Sequence, residues 1–146
     1  MPKFLFYSDL HLRPERREDC EIVLTQVGEL AKKHGAIIIN GGDTFNTRGL
    51  IRTGCFDTLA YHYSRWMSER LQQVILVGNH DQEDKAGKIH PMRVFDAPES
   101  SWGVVSEPVV IYGIAFFPYM PREEIRPAIK RLLPLASLGV AVVHWG

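Results

Sequence analysis

Short apolar runs that end in polar, chemistry-bearing residues recur along this chain. Val74-Ile75-Leu76-Val77 is followed by Gly78-Asn79-His80-Asp81. Phe4-Leu5-Phe6-Tyr7 runs into Ser8-Asp9-Leu10-His11, and Ala36-Ile37-Ile38-Ile39 into Asn40-Gly41-Gly42-Asp43. Val140-Ala141-Val142-Val143 delivers His144 in the same way. An unbroken apolar run of this length fits a strand covered on both faces, and sites in parallel sheets gather beyond the carboxyl ends of such strands. Strands that each deliver Asp, Asn or His at one end outline a metal site.

Helical periodicity fills the intervals. Cys20, Val23, Leu24, Val27, Leu30 and Ala31 recur at three- and four-residue spacing. Pro14, Glu18, Asp19 and Glu21 suit the helix start, and Lys32, Lys33 and His34 followed by Gly35 suit its end, so His34 reads as a helix-end residue. A second helix is expected over residues 51–70, with Phe56, Tyr61, Tyr63 and Trp66 packing a core and His62 on the surface. Residues 82–90 read as a polar loop, and residues 95–106, with Pro98, Ser100, Ser101 and Gly103, as an irregular connection. Gly113 separates two strands at 109–112 and 114–117. A third helix is expected after Pro121, with Arg122, Arg126, Lys130 and Arg131 forming a basic side that reads as a solvated face or else as a nucleic-acid or partner contact, and a last strand over 140–143.

Size and charge narrow the class. At 146 residues, 45% of them apolar, the chain is long enough for one domain with a sizeable core. Seventeen basic residues balance seventeen acidic ones, so any nucleic-acid binding must come from a local patch. Cys20 and Cys55 fall on apolar stripes and read as buried thiols in a reducing compartment. Met1-Pro2-Lys3 opens directly into a strand without a signal-peptide pattern, and no apolar run is long enough to span a bilayer. An intracellular, cytoplasmic location is the expectation.

The candidate residues can be weighed one at a time. Asp9 and His11 lie two apart; in an extended segment they would point the same way, roughly 6.5–7 Å apart at Cα, within reach of one cation. The alternative is a turn-starting Asp beside a solvated His. Arg13, the nearest of the arginines that follow, can clamp a phosphate or solubilise a loop. Glycines before Asp43 let that carboxylate sit deep, where one Asp can bridge two cations. Asn46 can hydrogen-bond locally or face a substrate, and Arg48 and Arg52 are further phosphate candidates.

Taken in order, Ser-Asp-Leu-His, Gly-Gly-Asp and Gly-Asn-His-Asp resemble the calcineurin-like metallophosphoesterases. The resemblance covers nearly the whole chain and implies an α/β fold, a four-layer α-β-β-α sandwich with a two-metal site at its strand ends. It implies Asp9 and His11 as ligands of one metal, Asp43 as the bridge, and Asn79 and His144 as ligands of the second. His80 then matches the catalytic histidine, which meets the phosphate and helps the leaving oxygen depart, and Asp81 the residue that orients it. Two divalent ions roughly 3.5–4 Å apart would clamp the phosphate and activate a water. Manganese is the first choice by family analogy, with iron or zinc as alternatives.

Within that family, Asp9-Leu10-His11-Leu12, Gly42-Asp43-Thr44-Phe45, Gly78-Asn79-His80-Asp81 and Phe117-Pro118-Tyr119 look like the DNA double-strand-break-repair nucleases. These are the SbcD-type subunits that pair with a coiled-coil ATPase. The resemblance implies DNA and such an ATPase as partners, a homodimer, and exonuclease or endonuclease activity in recombination and repair. Asn46 departs from the pattern, since these nucleases often carry His there. The family also closes its site with Gly-His-x-His, whereas none of the six histidines lies after His144. The expectation is therefore a catalytic domain over residues 1–146 that lacks its carboxyl-terminal part, either as a fragment or completed by another chain. A small-molecule phosphodiesterase or phosphatase, and a metal-poor protein-binding scaffold of the same fold, are the competing readings.

Overall fold

The computed structural model describes residues 2–83, 89–97 and 102–146. Strands β1 (Lys3–Tyr7), β2 (Ala36–Asn40), β3 (Gln73–Leu76) and β4 (Trp102–Val105) form a wholly parallel sheet in that spatial order. A second sheet pairs β5 (Val109–Ile111) antiparallel with β6 (Ile114–Phe117), and β6 parallel with β7 (Val140–Val143). Helix α1 (Arg17–His34) joins β1 to β2, α2 (Thr53–Ser68) joins β2 to β3, and α3 (Arg122–Leu132) lies between β6 and β7.

Alternation along the strands sorts the apolar residues into three cores. Ile38 and Ile75 face a core shared with Leu24, Val27 and Ala31 of α1 and Leu59, Tyr63 and Trp66 of α2. Their neighbours Ile39, Val74 and Leu76 point the other way, against Ile114 and Phe116 of the second sheet. Ala115 and Phe117 then cover Ala128 on the far side, where α3 packs. Three interfaces make four layers, helices–sheet–sheet–helix, as the resemblance implied.

Helix α1 stops where its sequence says. Gly35 takes the left-handed conformation (φ 59°, ψ 43°), and its N–H bonds back to the Ala31 and Lys32 carbonyls. The stripe is narrower than the spacing suggested: Val23 and Leu30 are exposed, and Gly28 is buried instead. There the missing side chain admits the Trp66 indole from α2, which a Cβ would strike. Tyr61 of α2 is exposed rather than packed.

His62 is a clearer correction. It is buried between α1 and α2, one turn before Trp66 on the same helix face, and burial lowers its pKa. Residues 95–106 also depart from expectation, because 102–105 form β4. Trp-Gly-Val-Val is too short and too broken by glycine to announce a strand alone. The edge of β3 templates it, and the Trp102 indole N–H donates to the Leu71 carbonyl at 2.6 Å. Residues 84–88 of the expected polar loop and Pro98, Ser100 and Ser101 lie outside the described residues. Both cysteines are free and buried, and burial raises their thiol pKa values.

Candidate metal centre

The register that aligns Tyr7 with Asn40, and Asn40 with Ile75, brings three strand ends to one edge. Beyond it the loops continue as a ladder. Asp9 N–H donates to the Gly42 carbonyl at 3.0 Å, His11 N–H to the Asp43 carbonyl at 3.0 Å, and Leu12 N–H to Thr44 at 2.9 Å. The second sheet is tied to the same edge by the Tyr119 N–H, which donates to the Val77 carbonyl at 3.0 Å, while the His144 N–H extends the β6–β7 ladder to the Phe117 carbonyl at 2.9 Å.

Asp9 and His11 do not sit in an extended segment. Their φ angles are +55° and +45°, and that of Asp43 is +53°. Left-handed backbone at non-glycine residues costs energy that the surrounding hydrogen bonds must offset, and it clusters at functional sites. The turn folds the His11 ring between the Asp9 and Asp43 carboxylates instead of spacing the two side chains along a strand. His11 Nε2 lies 3.8 Å from Asp9 Oδ1 and 3.9 Å from Asp43 Oδ2. Ser8 donates to the Asp9 carboxylate from the side.

Asp43 Oδ1 faces the other way. It lies 3.3 Å from His144 Nε2 and accepts the His80 N–H at 2.9 Å. His144 Nδ1 donates to the Gly41 carbonyl at 2.8 Å, which turns Nε2 toward Asp43; a bound ion would take the Nε2 lone pair in place of a proton. The inward atom of the Asn79 amide lies 3.0 Å from that Nε2 and 3.2 Å from each Asp43 oxygen. As nitrogen it donates to the Asp43 carboxylate while the amide oxygen, outward, accepts from Arg48; a bound cation would instead require the oxygen inward. The outward atom lies 3.2 Å from Arg48 Nη2. Burial opposes ionisation of Asp43, but bonds from His144 and the His80 N–H prevail and hold its pKa below the ordinary value. Each Asp43 oxygen thus faces its own imidazole, and the oxygen-plus-imidazole set suits a divalent ion on either side. His11, Asp43 and His80 also place one donor atom each within 4.8 Å of one another.

His80 is held differently from expectation. Its Nδ1 donates to the backbone carbonyl of Asn46 at 2.8 Å, and its ring meets His11 edge-on at 5.0 Å between centroids. Asp81 does not orient it. The Asp81 carboxylate is buried and turned away, with Oδ1 accepting the Phe45 N–H at 2.9 Å and Oδ2 the Gly78 N–H at 3.0 Å. Burial raises its pKa to about 6, against the pull of the Phe45, Gly78 and Thr44 amides. Asp81 therefore staples the loop after β3 to the loop after β2. The orienting group is the Asn46 carbonyl, so the side-chain identity at position 46 is not what holds His80.

Asn40 was not singled out from the sequence, yet it braces the same loop. Its Oδ1 accepts the Gly42 N–H at 2.9 Å, and its Nδ2 donates to Thr44 Oγ1 at 2.8 Å and Tyr63 OH at 3.0 Å. An Asn two residues before a glycine is the signature of such a side-chain turn. Gly78 has no room for a side chain, since a Cβ would collide with the Asp43 backbone and carboxylate. Arg13 and Arg52 line an open groove with Asn46 and Thr47, and Arg48 is exposed beside Asn79.

Fold and site together define a phosphoesterase: the chain belongs to the calcineurin-like phosphoesterase family, which matches residues 2–132. His144 lies beyond that match and joins the site by geometry. Among individual proteins, the chain is similar to the DNA double-strand break repair protein Mre11 of Sulfurisphaera tokodaii, with 22% identity over 161 residues, covering 99% of this chain and 41% of that protein. Its fold is similar to that of the nuclease MPE of Pseudomonas putida, with a TM-score of 0.50, 23% identity, and coverage of 82% of this chain and 54% of that one. The chain thus spans about half the length of these relatives or less. Among the described residues, no helix is long and apolar enough to cross a membrane.

Proposed function

We propose that this chain is the catalytic part of a DNA nuclease that hydrolyses phosphodiester bonds with two divalent ions, manganese by preference. The observation that carries the reading is Asp43, whose two oxygens face separate imidazole-bearing sets. Asp9 and His11 would hold one ion, Asn79 and His144 the other, and Asp43 both. When bound, the ions would polarise the phosphate and activate water. His80, with Nδ1 engaged by the Asn46 carbonyl, has Nε2 free to carry a proton to the departing oxygen. Asp81 acts one step removed, by holding the two loops together. Arg48 and Arg13 stand where they can meet phosphate oxygens, and Asn46 serves through its backbone.

Similarity to Mre11, a DNA double-strand break repair protein, supports DNA as substrate and a role in repair, and recombination extends that reading. A coiled-coil ATPase partner, a homodimer and an intracellular location extend the same reading. The test is manganese-dependent hydrolysis of linear DNA and of bis-p-nitrophenyl phosphate, with metal binding followed by calorimetry. His80→Ala is expected to lower turnover at least ~100-fold while metal still binds. Cleavage of the small diester alone would move the assignment to a small-molecule phosphodiesterase. No metal binding and no cleavage would leave a scaffold.

A further inference from the structure

Asp43 sits in a loop of left-handed backbone, with φ +102° at Gly42 and +53° at Asp43 itself. At Asp43 that shape is costly and needs support from its surroundings. The Asn40 side chain grips the loop on both flanks of Asp43. Its Oδ1 accepts the Gly42 N–H at 2.9 Å, and one Nδ2 hydrogen goes to Thr44 Oγ1 at 2.8 Å. The other Nδ2 hydrogen points into the core, to Tyr63 OH at 3.0 Å. Three bonds therefore fix one amide plane, and the third comes from a different element.

Tyr63 belongs to α2 and is fully buried. Its ring stacks on Trp66 at 5.3 Å between centroids, and Phe95 and Trp102 meet it edge-on at 4.9 and 5.3 Å. A ring clamped on three sides has no freedom to swing its hydroxyl away. That hydroxyl lies 2.8 Å from Tyr7 OH, which the Gln73 amide reaches at 3.3 Å. Burial raises the pKa of Tyr63 to about 12 and that of Tyr7 also, so both keep their protons. With its oxygen already accepting from Asn40, Tyr63 directs its own proton at Tyr7. The slack lies at the far end, where Gln73 Oε1 is buried without a partner among the described residues. Phenylalanine would fill the Tyr63 position without a polar group to satisfy; what the hydroxyl adds is direction.

We propose that Tyr63 is a positioning residue for Asp43, acting through Asn40. The inference rests on the two-metal phosphodiesterase reading for what Asp43 does. By holding the Asn40 amide plane, the Tyr63 hydroxyl fixes where Gly42 and Thr44 stand, and with them the direction of each Asp43 oxygen. A bridging carboxylate depends on that direction doubly, because each oxygen must face its own imidazole.

Manganese affinity by calorimetry, beside amide hydrogen exchange of the metal-free chain, tests this. Tyr63→Phe keeps the ring and removes only the hydroxyl. It is expected to weaken manganese binding roughly 10-fold and to speed exchange at Gly42 relative to Ile38 in the core strand. Leu59→Ala lies in the same helix and core but has no polar link to the loop. It should lower stability while leaving manganese affinity and the Gly42-to-Ile38 exchange ratio unchanged. Asn40→Ala should weaken binding at least as much as Tyr63→Phe, and adding Tyr63→Phe to it should bring no further loss. Unchanged affinity in Tyr63→Phe, or two losses that simply add, would overturn the proposal. So would an equal loss in Leu59→Ala, which would trace the effect to general stability. If the unaltered chain binds no manganese, the metal reading falls by itself and exchange decides the hold on the loop. Faster Gly42 exchange in Tyr63→Phe alone then supports that hold, and an unchanged ratio removes it.

Discussion

Asp81 shows how a residue that looks chemical can be structural. Its carboxylate accepts hydrogen bonds from the Phe45 and Gly78 amides, and burial is severe enough to raise its pKa to about 6. Asp81→Ala would leave those buried N–H groups unpaired, and the expected loss is ~2–4 kcal/mol in urea unfolding, with metal affinity falling because both loops loosen. An Asp81→Ala protein of unchanged stability would show that the staple is ornamental. Asp9, His11, Asp43, Asn79, His80 and His144 were all legible as candidates from their places after apolar runs. The turn that gathers Asp9 and His11 was not, because positive φ at Asp and His has no sequence mark comparable to glycine. Nor was the bond from His80 to Asn46, which uses a carbonyl every residue possesses.

Between elements, the decisive contact is α1 against α2. Gly28 and Trp66 meet there so closely that Gly28→Ala is expected to cost ~1–3 kcal/mol in thermal or urea unfolding, despite the better helix propensity of alanine. His62, buried on the same face, gives the interface a pH response. Desolvation lowers its pKa from the ordinary 6.5, with Arg65 adding to the effect and Glu21 opposing it; Lys32, Glu29 and Glu69 share the crevice. The unfolded chain therefore takes up the proton more readily than the folded one. Stability is full above about 6.5 and declines as pH falls through that value toward the folded pKa. His62→Phe should flatten this decline in unfolding curves run from neutral to mildly acidic pH; an unchanged slope would assign it to other groups. Apolar spacing located both helices, but exposed Val23 and Leu30 and buried His62 show its limit. Which flank of an amphipathic stripe is covered depends on the neighbouring helix, and here a missing side chain at Gly28 decides it.

Across the whole molecule, the candidate ligands come from loops after β1, β2, β3 and β7, and so from both sheets. An ion bound among them would add to the apolar packing and the few hydrogen bonds that join these layers. Manganese should raise the unfolding temperature, a chelator should reverse the rise, and Asp43→Asn should largely remove it. Saturation at a hundredfold over Kd corresponds to ~2.7 kcal/mol. No shift in a thermal scan would count against the centre. The four-layer order was readable only through the resemblance carried by the motifs after the apolar runs, while β4 was hidden by its brevity and its glycine. The in-register parallel strands have a further consequence. One residue inserted within β1, β2 or β3 would carry its ligand about 3.3 Å along and turn it to the opposite face. The turns at the other margin, around Gly35 and Arg70, hold no ligand and can lengthen freely. The sheet therefore works as a ruler read from one end only, and a drifting lineage would vary in length along one rim of the protein while the other stayed fixed.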